Sequence, residues 1–277
     1  MKKRRLFLVM SIMLVLVMLF IFSSSVFELS SVDIKFYSDQ GEPLGLSSNR
    51  VFNSTQKTKA VIDSAKFDYG SLVFSLDKPK YITRIESANP YIKVLSLESI
   101  FPNKLVINAS EREELFCISG AASTLILDSD FKILDMRKDA TLLTQMTFFD
   151  YDREVSFYDF FDVSPLAFEK GMFLTENNLV LSSIHNLVPT LHNFDLDILG
   201  SASTLSFTKR ENNKVDLSLT TSSPFGLTLK ICNIFENFDY KLNKLLSAFY
   251  TLYQKERIKT THGLLSIDES FNCRWQE

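Results

Sequence analysis

The chain opens on an apolar run: residues 6–22 read LFLVMSIMLVLVMLFIF, with one polar side chain, Ser11, and no charge. Coiled as a helix at about 1.5 Å per residue the run spans about 26 Å, and about 33 Å when continued through Phe27. A helix satisfies its own backbone hydrogen bonds, so such a stretch can cross lipid. Lys2, Lys3, Arg4 and Arg5 precede it and no acidic residue follows until Glu28. That asymmetry keeps the N-terminus cytoplasmic and puts the remainder outside. A cleavable secretory signal is the second reading, with Ser23, Ser24 and Ser25 as small residues for a peptidase. The run is longer than the roughly 7–15 residues of a signal core, and no A-x-A site follows it. A buried core helix is the third.

Beyond the run, Val32-Asp33-Ile34-Lys35-Phe36 alternates apolar and polar, as a half-buried strand does. Residues 38–48 read as a loop broken by Gly41, Pro43 and Gly45. Residues 54–67 predict a short helix with Ala60, Val61, Ile62 and Ala65 as its apolar stripe. After a turn at Gly70 and a short apolar piece, Asp77 stands as an N-cap before Lys78-Pro79. The helix it opens carries Tyr81, Ile82 and Ile85 and stops near Asn89-Pro90. Strands over 92–100 and 104–110 flank a turn at Phe101-Pro102-Asn103. The order strand, helix, helix, strand, strand predicts a small α+β unit, a three-stranded sheet backed by two helices.

From Phe116 onward the pattern is mostly strands. Residues 124–127 and 131–134 flank Asp128-Ser129-Asp130 as a hairpin, whereas 136–161 is rich in Phe and Tyr without a clean period. Residues 176–191 predict one helix, with Leu179, Leu181, Ile184, Leu187, Val188 and Leu191 as its apolar face. A meander follows over 204–208, 215–220 and 227–231. Residues 239–256 predict the clearest amphipathic helix, and 264–268 a last strand.

Composition narrows the class. The apolar fraction is 45% and 25 residues are Phe, enough for real cores. The net charge is −3, and the four cations at residues 2–5 leave −7 for the remainder. An acidic remainder without a basic run argues against nucleic acid as a partner. Cys117, Cys232 and Cys273 are few, odd in number and far apart, which leaves a single disulfide or buried free thiols. Asn53-Ser54-Thr55 and Asn108-Ala109-Ser110 fit the N-glycosylation pattern.

Catalytic patterns do not assemble. The spacing S-x-x-K occurs at Ser75–Lys78, Ser129–Lys132 and Ser206–Lys209, with no S-D-N or K-T-G companion, as chance provides. No nucleophile elbow and no glycine-rich phosphate loop is present. His185 and His192 lack an acidic neighbour at metal-ligand spacing, and Asp150, Asp152 and Glu154 lack the geometry of a calcium loop. The expectation is a non-enzyme: no catalytic residues, no cofactor, no metal and no small-molecule substrate.

One stretch carries a resemblance. Gly70-x-x-x-Phe74-x-Leu76-Asp77, then Asn89-Pro90-Tyr91-Ile92, then Phe101-Pro102-Asn103-Lys104-Leu105-x-Ile107, closing on Glu111-Arg112, resembles the POTRA domain of the FtsQ/DivIB cell-division proteins. Leu127-Asp128, Gly226-Leu227-x-Leu229, Lys241-Leu242-x-x-Leu245 and Gly263-Leu264-x-x-Ile267-Asp268 follow in the order of that family's β domain. The fold class it implies is α+β: an N-terminal transmembrane helix, a small βααββ POTRA-like domain, then a larger antiparallel β domain with packed helices. The implied division is a cytoplasmic tail at 1–5, the transmembrane helix at 6–27, the POTRA-like domain at 28–112 and the β domain at 113–277. The resemblance implies a single-pass division protein at the septum, held in the bilayer through 6–27, that recruits FtsB/DivIC-like and FtsL-like proteins. By it the last strand is the partner-binding strand, with Leu264, Ser266 and Asp268 on one face and Leu265 and Ile267 on the other. A terminal strand tends to lie at a sheet edge, where a partner can add a strand. Phe271 and Trp275 follow as aromatic anchors or as cover for the domain's own core. Glu111 and Arg112 read either as a charged pair at the domain seam or as solvated surface charges. Another POTRA-type envelope assembly or export component, and a secreted binding protein with a cleaved signal, are the alternatives.

Overall fold

A computed structural model describes residues 2–23, 25–37, 55–120, 123–138, 143–164, 168–176, 178–194, 196–222, 225–255 and 263–276. The chain separates into two compact units, Met1–Arg112 and Glu113–Glu277.

The first unit begins with α1 (Lys2–Ser23), 22 residues long, followed by a 3-10 turn at Ser25–Phe27. Among the described residues no helix is long and apolar enough to cross a membrane.

The rest of the unit is a three-stranded sheet and two helices: β1 (Ser31–Tyr37), α2 (Thr55–Ala65), α3 (Lys78–Ala88), β2 (Ile92–Ile100) and β3 (Lys104–Glu111). The strand order is β1-β3-β2, with β3 parallel to β1 and antiparallel to β2. Local chemistry sets α3, because Asp77 caps it by accepting from Lys80 N–H and Pro79 sits in its first turn. Asn89 ends it, its backbone N–H and its side-chain amide both donating to Ile85 O at 2.9 Å. Val61 and Ala65 from α2, Tyr81 and Ile85 from α3, and Leu105, Ile107 and Ala109 from β3 share one buried core. The loop at 38–48 and Asn53 of the first sequon lie outside the described residues. Asn108 of the second sequon is buried and bonded to Ser96 and Glu98.

The second unit holds a ten-stranded sheet: β4 (Phe116–Ser119), β5 (Thr124–Leu127), β6 (Ile133–Arg137), β7 (Thr144–Asp150), β8 (Arg153–Val155), β9 (Ala202–Lys209), β10 (Val215–Thr221), β11 (Thr228–Ile231), β12 (Leu264–Ile267) and β13 (Cys273–Gln276). Their order is β13-β12-β11-β10-β9-β7-β4-β5-β6, with β8 paired to β7. The sheet is mixed rather than antiparallel, because β4–β7, β7–β9 and β11–β12 are parallel pairs. Parallel neighbours need long crossovers. That from β4 to β7 runs through β5 and β6, that from β7 to β9 through α4 (Phe157–Phe161), α5 (Leu179–Ser183) and α6 (Leu187–His192), and that from β11 to β12 through α7 (Phe238–Gln254).

One further expectation is corrected, and one unassigned stretch acquires elements. The single helix over 176–191 is two short ones, α5 and α6. Pro189 has no N–H, and its ring would meet the carbonyl of His185 in a continuous helix. The aperiodic stretch 136–161 resolves into part of β6, β7, β8 and α4. There Phe148 packs against Phe157, Phe160, Phe161 and Phe207 at 5.2–5.6 Å between ring centres.

Candidate functional site

The C-terminal end of the larger sheet differs from the expectation in one decisive respect. The sequence predicts residues 264–268 as the last strand and the sheet edge, but β12 lies between β11 and β13. Cys273–Gln276 turns back and pairs antiparallel with β12, matching Leu264 to Gln276, Leu265 to Trp275, Ser266 to Arg274 and Ile267 to Cys273. The cause is the turn between them. Asp268 Oδ1 accepts from Asn272 N–H at 2.8 Å, Asp268 N–H donates to Asn272 O at 3.1 Å, and Phe271 takes the left-handed φ of 62°. The alternation in Cys273-Arg274-Trp275-Gln276 carried the strand signal, but the residue in left-handed conformation is a phenylalanine rather than a glycine or asparagine.

The sequence-predicted residues separate by position. Leu265 and Ile267 are buried in the core, whereas Leu264 and Ser266 are half-buried. Asp268 holds the turn, also receiving Arg274 at 3.3 Å, and the hydrogen bond from Asn272 N–H holds its carboxyl below the usual range. Phe271 lies edge-on to Tyr240 at 5.3 Å and beneath the Lys241 ammonium at 5.6 Å. Trp275 is half-buried against the core and lies where a side chain at residue 263 would stand: a Cβ built on Gly263 falls 2.0 Å from the indole. Its Nε1 is buried without a hydrogen-bond partner among the described residues.

The main chain of β13 can be oriented from its neighbours. Thr228 N–H donates to Gly263 O at 2.9 Å and Cys232 N–H to Ile267 O at 3.0 Å. Gly263, Leu265 and Ile267 therefore direct their peptide groups to β11, and Leu264 and Ser266 direct theirs to β13. Paired and unpaired positions alternate in an antiparallel ladder. Arg274 and Gln276 thus bond to β12, while Cys273 and Trp275 aim N–H and C=O groups at the open side. The side chains of Arg274 and Gln276 are exposed. An edge of this kind is a template for another strand.

Lys241, which sequence reasoning did not single out as functional, fixes the packing behind this edge. It is fully buried, and its ammonium donates to Cys232 O at 2.8 Å and Asn233 O at 3.0 Å, tying α7 to the end of β11. Burial pushes its pKa below 10.5.

Arg112 is turned into the first unit. It is buried, donates from Nε to Ile92 O at 3.3 Å and pairs with Glu86 at 3.4 Å, while Glu86 also accepts from Val94 N–H at 2.8 Å. Glu111, opposite Ile92 in the β2–β3 register, is half-buried.

The three cysteines are free, and burial pushes each thiol upward, away from the reactive thiolate. Among the described residues no group of three or more His, Cys, Asp or Glu is placed to hold a metal ion.

The class comes from residues 52–112, which hold α2, α3, β2 and β3 and match the family described as "POTRA domain, FtsQ-type". Similar whole proteins are cell-division proteins. Over 87 residues the chain is 31% identical to the cell division protein DivIB of Clostridium acetobutylicum, covering 31% of this chain and 34% of that relative. Over 213 residues it is 25% identical to the cell division protein DivIB of Clostridium tetani, covering 75% of this chain and 69% of that relative. The match thus spans about a third of the first relative and about two thirds of the second. The chain resembles the FtsQ/DivIB family of cell-division proteins.

Proposed function

We propose that this chain is a non-enzymatic scaffold of the division apparatus. It is a single-pass membrane protein anchored through residues 6–27, with its N-terminus cytoplasmic. Its outer units recruit FtsB/DivIC-like and FtsL-like proteins at the septum, and Glu111 and Arg112 close the first unit at the end of β3. The observation that carries the reading is the open edge of β13, backed by a β12 whose Leu265 and Ile267 are locked in the core. A partner strand takes affinity from the peptide groups of Cys273 and Trp275 and specificity from Arg274, Gln276 and the outer faces of Leu264 and Ser266. Asp268 and Phe271 serve as the clamp that presents the edge, and Trp275 as its packed base.

The test leaves β12 intact. Cys273→Pro removes an outward N–H while sparing the ladder to β12, because proline is tolerated on edge strands where the N–H faces away. The account predicts that this variant melts like the parent but captures the FtsB/DivIC-like partner at least about tenfold less well, the loss of about 1.4 kcal/mol expected for a main-chain hydrogen bond. Undiminished capture, or undiminished capture by a chain ending at Asn272, would contradict it.

A further inference from the structure

We infer that the base of the first unit is a lipid-facing surface, formed where Phe27, Phe74 and Phe101 converge beside the end of α1. This rests on the reading of α1 as a membrane anchor and adds a second, peripheral contact to it.

Three separate segments bring the rings together. Phe27 closes the 3-10 turn after α1, Phe74 lies in the short 3-10 turn Val73–Ser75, and Phe101 follows β2. Phe27 lies 6.0 Å from Phe74 and 5.6 Å from Phe101, centre to centre. The backbone holds the arrangement: Leu29 N–H donates to Ser71 O at 2.8 Å, Gly70 N–H to Leu29 O at 3.2 Å and Ser30 N–H to Asn103 O at 2.9 Å. Yet Phe74 is 65% exposed and Phe101 71%, with Val26 beside them at 52%. The unit has a filled core of its own, so these rings are not surplus packing.

Distance identifies the occupant. Phe27 stands four residues beyond the last residue of α1, so it lies within about 14 Å of the helix end even if the chain is fully extended. The headgroup layer on one face is about 5–8 Å deep, and the 3-10 turn Ser25–Phe27 is far from fully extended, so Phe27 stands at or just above that layer when α1 spans the hydrocarbon. Aromatic rings concentrate at that level in membrane proteins. The register fixes which end of the sheet faces the lipid: Ser31 at the start of β1 pairs with Lys104, immediately after the Phe101 turn.

The test uses the full chain in phosphatidylethanolamine–phosphatidylglycerol vesicles containing lipids brominated near the top of their acyl chains. Phe101→Trp is compared with Leu95→Trp, an exposed position six residues back along β2 and about 15–20 Å away. Trp275, the single native tryptophan, supplies the background in the parent chain. The inference expects the Phe101→Trp emission to shift to the blue and to be lost to the brominated lipid, with Leu95→Trp no more quenched than the parent. Unquenched Phe101→Trp in a chain that resists alkaline extraction would overturn the lipid-facing surface and leave the anchor standing. The same holds for a residue-101 tryptophan shielded from aqueous iodide but not reached by the bromines, which would point to a protein partner. Release of the chain by alkali would overturn both.

Discussion

Lys241 ties the helix behind the C-terminal edge to the end of β11. Its ammonium satisfies two carbonyls at the end of β11 from inside the core. Replacing it by methionine, one heavy atom shorter and without a donor, strands both acceptors, each costing about 1–3 kcal/mol if left unsatisfied. Urea denaturation of Lys241→Met should therefore show a loss of about 2–6 kcal/mol for the two together. The pH dependence has a definite sign. Because the folded pKa lies below the ordinary 10.5, the unfolded chain binds more protons between the two values. This group's contribution therefore rises as the pH climbs through that window toward 10.5. The stability gap between parent and Lys241→Met should widen there and stay constant near neutrality. Gly263 makes a second prediction at this scale. Its missing side chain is the space the Trp275 indole occupies, so Gly263→Ala forces the ring outward. Overpacking of this kind typically costs about 1–3 kcal/mol. The native tryptophan reports it directly, since its emission should shift to the red, and an unshifted spectrum would show that the ring tolerates the methyl group.

Among the elements, the turn between β12 and β13 carries the most testable chemistry. Asp268 gathers Asn272 and Arg274, and its carboxyl is held below the ordinary 3.8. A depressed carboxyl contributes stability that is present above its unfolded value and lost as the pH falls through the folded one. Acid titration followed by Trp275 emission should show the edge loosening below that ordinary value in the parent. Asp268→Asn should lack this step; an identical acid profile in both would assign the loosening to other carboxyls. In the first unit Arg112 ties β3 to β2 and α3. Arg112→Ala should lower that unit's stability by about 1.5–3 kcal/mol, the worth of hydrogen bonds to a charged group.

The elements also explain what the sequence made legible. In the first unit α3 and the turn after β2 could be read because their signals are local: Asp77 and Pro79 open α3, Asn89 and Pro90 close it, and Phe101-Pro102-Asn103 turns the chain. In the second unit the helix over 176–191 misled because apolar spacing continues across a break that Pro189 imposes. The stretch 136–161 resisted assignment because its rings converge from β7, α4 and β9, a grouping made by topology and invisible to any period along the chain. The site itself was found one strand early. Leu265 and Ile267 alternate as an edge strand would, but the same alternation serves a strand covered on both sides in the sheet plane. Only the reversal at Phe271 separates the two cases.

Across the whole molecule, a POTRA unit of FtsQ type precedes a larger mixed sheet whose last strand is open on one side. This arrangement goes with similarity to cell-division proteins. The central claim is that a division partner pairs with the main chain of β13. Hydrogen exchange of the Cys273–Gln276 amides, with and without the FtsB/DivIC-like partner, tests it most directly. The account predicts that the Cys273 and Trp275 amides exchange freely in the isolated protein and become protected on binding, while Arg274 and Gln276, already bonded to β12, change little. Binding that leaves the Cys273 and Trp275 amides as exposed as before would contradict it.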